Sequence, residues 1–257
     1  MPRTVPRTHR ARTIALLAIL AVIGRGSALR AQEHDHSSSA TTSHATSNGD
    51  LHMEMSPHRT ATPADSVRAA TIAAQLRTAL ARYHDTTAAV NDGYKMFMPQ
   101  LKDQKVYHFT NNWRAVQEAF RFDPEKPTSL LYKKKPDGQF VLVGAMFTAP
   151  KRFGAEKLDA RVPTSIARWH KHINWCTPKK GESDRWLDRR DGQPLFGPES
   201  PIATKSACDA VNGTFHDTLF GWMIHANVFE SDDPAVVWGD DHAGHDMHAG
   251  MKMDHSM

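Results

Sequence analysis

Imidazole and thioether are the reactive groups this chain supplies in quantity. The stretch "RWHKHINWC" (168–176) sets His170 and His172 two residues apart. Extended backbone sends residues i and i+2 to the same face, roughly 7 Å apart. On that reading His170, His172, Asn174 and Cys176 share one side, and Trp169, Lys171, Ile173 and Trp175 the other. "FGWMIHANVF" (220–229) sorts the same way: Phe220, Trp222, Ile224 and Val228 against Met223, His225 and Asn227. "VYHFTNNW" (106–113) adds His108 between aromatics. If the two strands are neighbours, their polar sides coincide. His108, His170, His172 and His225 then become one candidate metal set, with Met223 nearby. Three or four imidazoles suit zinc or copper. Asn111, Asn112 or Asn174 could orient a ring by accepting its second N–H. The plainer alternative is that each histidine merely faces water behind an apolar strand. His84 carries no functional expectation, and His216 is an outside candidate.

The two ends repeat the same chemistry. Residues 32–61 are rich in Ser, Thr, His and Met without hydrophobic periodicity, which predicts a disordered arm. Residues 239–257 form a second such tail, with His242, His245, His248, His255, Met247, Met251 and Met253 as further candidate ligands. Soft sulfur suits Cu(I) and imidazole suits Cu(II) or zinc, so the methionines tilt the expectation to copper. A tail that drifted in composition is the alternative.

Residues 1–12 hold four arginines and no acid. The apolar run "TIALLAILAVIG" follows, then small residues. This pattern predicts a secretory signal peptide over 1–31, and hence a periplasmic or extracellular protein with no stable membrane span after cleavage. Those 31 residues contain six arginines and no acids, so their removal takes the formal charge from +4 to −2. The basic balance belongs to the export signal, and nucleic-acid binding loses its support. Cys176 and Cys208 are the two cysteines. An even count in an exported chain favours a disulfide between them; a Cys176 thiolate beside the histidines is the alternative.

These side chains need a scaffold. Thr62, Pro63 and Asp65 make a helix start close to a capping box. The stripe Ala69, Ile72, Ala73, Leu76, Leu80 and Tyr83 then predicts a helix to about Ala89. "SLLYKKK" and "QFVLVGAMFTA" flank Pro136-Asp137-Gly138 and read as a hairpin whose second strand is covered on both faces. Strands are also expected at 167–175 and 219–229. A polar segment of about forty residues lies between them, too long for an ordinary connection. The expected fold is α+β: one domain over 62–238, with a long N-terminal helix packed on a mainly antiparallel β-sheet and disordered His/Met-rich termini.

In order, "NDGY" (91–94), "VYHFTNN" (106–112), "PTSLLY" (127–132), "DGQFVLVG" (137–144), "WHKHINWC" (169–176), "CDAVNG" (208–213) and "WMIHANVF" (222–229) give the chain its internal signature. Their sequence resembles that of a family of uncharacterised secreted bacterial proteins, over about residues 66–230. The resemblance implies one domain, with His108, His170, His172 and His225 at the motif positions. It implies no reaction. The chain departs from the pattern at Val106-Tyr107, where the family has glycine. It departs again after the last strand, which runs into "ESDDPAVVWGDD" without an Asn-Pro-x-Gly turn.

The functional expectation is an exported metal-binding protein for copper, or else zinc, with no nucleic-acid partner. A metal-dependent enzyme at the same cluster, hydrolase or copper oxidoreductase, is the first alternative. An envelope interaction domain with structural histidines is the second. No nucleophile elbow, P-loop or dinucleotide fingerprint is present, which favours binding over catalysis.

Overall fold

Pro136-Asp137-Gly138 closes the hairpin its residues dictate. In the computed structural model, Gly138 adopts φ +88° and Asp137 Oδ1 accepts from the Gln139 N–H at 2.9 Å. The strands it joins are β4 (Ser129–Lys134) and β5 (Phe140–Ala149). The structure describes residues 50–102 and 104–239. The expected signal peptide (1–31), residues 32–49 of the arm and residues 240–257 of the tail lie outside them. So do the candidates His242, His245, Met247, His248, Met251, Met253 and His255.

The remaining strands are β1 (Met53–Met55), β2 (Lys95–Met96), β3 (Tyr107–Thr110), β6 (His170–Thr177), the short pair β7 (Arg189–Arg190) and β8 (Gln193–Pro194), and β9 (Thr214–Ala226). Among the described residues, seven of them form one sheet in the order β1-β6-β9-β5-β4-β3-β2, each neighbour antiparallel. β5 lies at the centre and is buried from Leu142 to Phe147, as an apolar run on both faces requires.

The first helix starts as its cap residues predict. Thr62 Oγ1 accepts from the Asp65 N–H, and Asp65 Oδ2 accepts from the Thr62 N–H at 2.8 Å. This helix, α1, spans Pro63–Leu80 and buries Ala69, Ile72, Ala73, Leu76 and Leu80. It joins one apolar cluster with Tyr107, Phe109, Leu142, Phe147, Trp169, Trp222 and Ile224. It is not the single long helix to Ala89 that the stripe suggested. A 3-10 turn follows at Ala81–His84. Asp85 then leaves helical space (φ −92°, ψ 117°), and its side chain caps a separate helix, α2 (Thr86–Asn91). A residue that serves as an N-cap must take extended backbone, and this breaks the helix before it.

The disordered arm is also corrected over its last residues. From Asp50 the chain forms a 3-10 turn and then β1, which pairs with β6. Farther on, Arg59 grips Asp65 through both carboxylate oxygens (2.6 and 2.7 Å) and also reaches Asp159 at 2.6 Å. That guanidinium holds the Asp65 carboxyl well below the usual carboxylate range. Polar composition hid this order because the segment is held by pairing and specific bonds, not by an apolar face.

The other helices are α3 (Asn112–Phe120), α4 (Ala155–Asp159), α5 (Lys205–Ala210) and α6 (Pro234–Val237). The long polar connection between β6 and β9 holds a small core of its own: Phe196, Ile202 and Val211 around a disulfide between Cys176 and Cys208. The thiolate-ligand alternative for Cys176 is thereby removed. Gly213 packs against this bridge; a β-carbon there would stand 2.5 Å from Cys176 Sγ and 2.8 Å from Cys208 Sγ. Gly213→Ala is therefore expected to cost about 1–3 kcal/mol of stability, read as a lower urea midpoint with an unchanged slope.

Candidate metal centre

Residues directly opposite in an antiparallel pair project to the same face, so the register states what shares a surface. His108 on β3 is opposite Leu131 on β4, which is opposite Gly144 on β5. Met146, two residues along β5, is opposite His225 on β9. Met223 on β9 is opposite His170 on β6. One face of the sheet thus carries His108, His225, Met223 and His170, while Trp222 and Ile224 turn to the main core on the reverse. The two polar sides expected from alternation do coincide.

The rings meet. His108 and His225 have centroids 5.5 Å apart, His225 and His170 5.3 Å, and His170 and His172 5.5 Å. The middle two are buried, at 2% exposure for His170 and 8% for His225. The outer two, His108 and His172, are half-buried. Four imidazoles from three strands therefore run as a connected row with its ends toward solvent. Glycines set the spacing of the backbone beneath. A β-carbon on Gly144 would sit 2.0 Å from the Ala226 carbonyl oxygen, and one on Gly221 2.2 Å from that of Ala149. A side chain at either place would push β5 and β9 apart. The β6–β9 register also slips between His170 and His172, where Phe220 adopts φ +66°. A bulge of this kind re-aims the side chains that flank it.

Ring adjacency is not coordination. Among the described residues, no group of three or more His, Cys, Asp or Glu side chains forms a set that could hold a metal ion.

Other expectations need correction. Trp175 was expected on the apolar side, yet its ring lies 4.6 Å from that of His172. Asn174 takes φ +56° and breaks the alternation after His172. Asn174 donates through Nδ2 to the Leu51 carbonyl, and so serves to hold the segment before β1. Asn111 is also committed elsewhere. Its Oδ1 accepts from the Trp113 and Arg114 N–H groups to cap α3, and its Nδ2 donates to Asp92 O. The Asn111 oxygen is thus engaged by backbone and is not the ring-orienting acceptor proposed from sequence. His84 stacks edgewise on Phe229, and His216 pairs with the Thr177 hydroxyl, so both stand apart from the row.

Sequence reasoning missed Met53 and Met55. The first is opposite His172 and the second opposite His170. The period-two pattern of "HMEM" (52–55) was the available signal. Three comparisons with known proteins add nothing to this site: no family model, curated protein or solved structure matches the chain. No helix among the described residues is long and apolar enough to cross a membrane.

A buried carboxyl stands at the end of β5. Glu118 on α3 is 2% exposed. Its Oε2 accepts from Thr128 Oγ1 (2.5 Å), the Thr148 N–H (2.9 Å) and Thr148 Oγ1 (3.1 Å), while Oε1 is buried with no hydrogen-bond partner among the described residues. Burial pushes its pKa from 4.5 up to about 7, against the pull of those donors. The fold thus retains a proton that the unfolded chain releases. This contribution is complete below the unfolded value near 4.5 and is lost as pH rises through 7. It corresponds to about 3 kcal/mol at most. Glu118→Gln is expected to flatten the fall in stability between pH 5 and 8, measured as urea midpoint against pH; an unaltered slope would contradict this assignment.

Proposed function

We propose that this is an exported copper-binding protein that holds its ion among His108, His170, His172 and His225. The observation that carries the reading is the row of four imidazoles, drawn from β3, β6 and β9, with its two middle rings buried. With metal–nitrogen bonds of about 2 Å and near-tetrahedral angles, two imidazole centres on one ion stand roughly 5–5.5 Å apart. The separations of adjacent rings are of that size, so side-chain rotation rather than strand movement would bring the nitrogens of neighbouring rings onto an ion. The disulfide supports an oxidising compartment, where such bridges persist. The His/Met-rich stretches at both ends would raise the local copper concentration and pass ions to the sheet.

The test is metal content after purification from the native host, joined to competition titration of the full chain with Cu(I), Cu(II) and Zn(II). Copper retained through purification, and bound far more tightly than by an unrelated histidine-bearing protein, is expected. Binding no tighter than that control would end the proposal.

A catalytic reading has one observation in its favour: the half-buried outer rings leave the row open to solvent. A metal-dependent hydrolase or copper oxidoreductase needs a coordination position for water or oxygen. An open position in the metal-loaded protein would favour it, and a closed shell would favour storage or transfer.

A further inference from the structure

We infer that the centre takes copper in its cuprous state, with the thioethers of Met55 and Met223 joining His170 in a shell of no more than about four donors, so that not every imidazole of the row binds at once. This rests on the copper-binding reading above. His170 stands between the two methionines in one cross-strand row: Met55 opposite it on β1, Met223 opposite it on β9. Met53 stands opposite His172 in the same way on β1, while the β9 partner of His172 is Leu219.

β1 is built to present these sulfurs. It is a three-residue edge strand, too short to be held by pairing alone. Its alternate positions supply the anchors. His52 is fully buried and donates through Nε2 to Ser200 O at 2.6 Å. Glu54 pairs with Lys171 at 2.9 Å, and that ammonium lies over the Trp222 ring. Ser56 donates its N–H to Trp169 O at 2.7 Å and accepts the Trp169 N–H on Oγ. With 52, 54 and 56 tied down, 53 and 55 are fixed on the histidine face. Both remain half-buried, and neither packs in the apolar clusters, so core filling does not account for them. Thioether sulfur is a soft donor that prefers Cu(I) to Zn(II) or Cu(II). Histidines alone would leave the centre open to zinc; the methionine-flanked row selects against it.

The experiment compares the full chain with Met55→Leu and with Met55→Leu/Met223→Leu, changes that conserve apolar volume. Cu(I) affinity is measured by anaerobic competition with a chromophoric chelator, and Zn(II) affinity by the same method in air. The double variant is expected to lose Cu(I) affinity at least about tenfold while Zn(II) affinity stays within about twofold. X-ray absorption of the Cu(I)-loaded full chain should show sulfur in the first shell, diminished in the double variant. Unchanged Cu(I) affinity with an unchanged shell would overturn the inference and leave the histidine site standing. Wild-type protein that binds none of these ions tightly would overturn the underlying reading as well.

Discussion

Replacing His170 and His225 together with alanine is expected to abolish the proposed tight copper binding while the sheet survives. These are the two buried rings of the row, and each also contacts an outer ring, His172 or His108. Loss of a supporting partner around a metal typically costs roughly 10–100-fold in affinity. Removal of two ligands should exceed that range. The cost in stability should be smaller, about 1–3 kcal/mol for the buried volume lost. Far-ultraviolet circular dichroism and a urea titration establish the fold, and chelator competition reads the affinity. His108→Ala or His172→Ala alone should weaken binding less, because the buried pair remains. If the histidines are only structural, as in an envelope interaction domain, the double variant changes stability and leaves metal binding as it was.

Removing the Cys176–Cys208 bridge is expected to produce the largest loss of stability of any change considered. The bridge closes a sequence separation of 32 residues. The chain-entropy estimate for such a loop is roughly 3–4 kcal/mol. The small core beside it, with Phe196, Ile202 and Val211, offers little apolar burial to replace that contribution. For a domain of this size the midpoint of thermal unfolding should fall by about 6–15 °C in a Cys176→Ala/Cys208→Ala variant. The histidine row lies on the sheet, apart from this cluster, so copper affinity at a temperature below the new midpoint should be nearly unchanged. Coupled loss of affinity and stability would mean that the connection between β6 and β9 helps to hold the row.

Much of the sheet could be read from local chemistry. The Pro136-Asp137-Gly138 hairpin and the capping box at Thr62 depend on a few adjacent residues, and both form as their residue types require. The alternation that set Met223 and His225 against Trp222 and Ile224 is also local, and it holds. What local pattern did not supply was pairing. β1 is three residues long in a polar stretch, and only its register with β6 gives Met53 and Met55 a place. Likewise, one αL residue in β6, Asn174, moved Trp175 toward His172, a reversal that a strict period of two cannot express. Asn111 illustrates a further limit. Its position next to a histidine strand suggested a ring partner, but the start of α3 had unsatisfied N–H groups and claimed the side chain first.

Anomalous diffraction at the copper edge, from crystals of the full chain loaded with Cu(I), tests the central claim most directly. A strong peak within bonding distance of His170 and His225 is expected. Copper-saturated protein whose anomalous peaks all lie away from those two rings would contradict it.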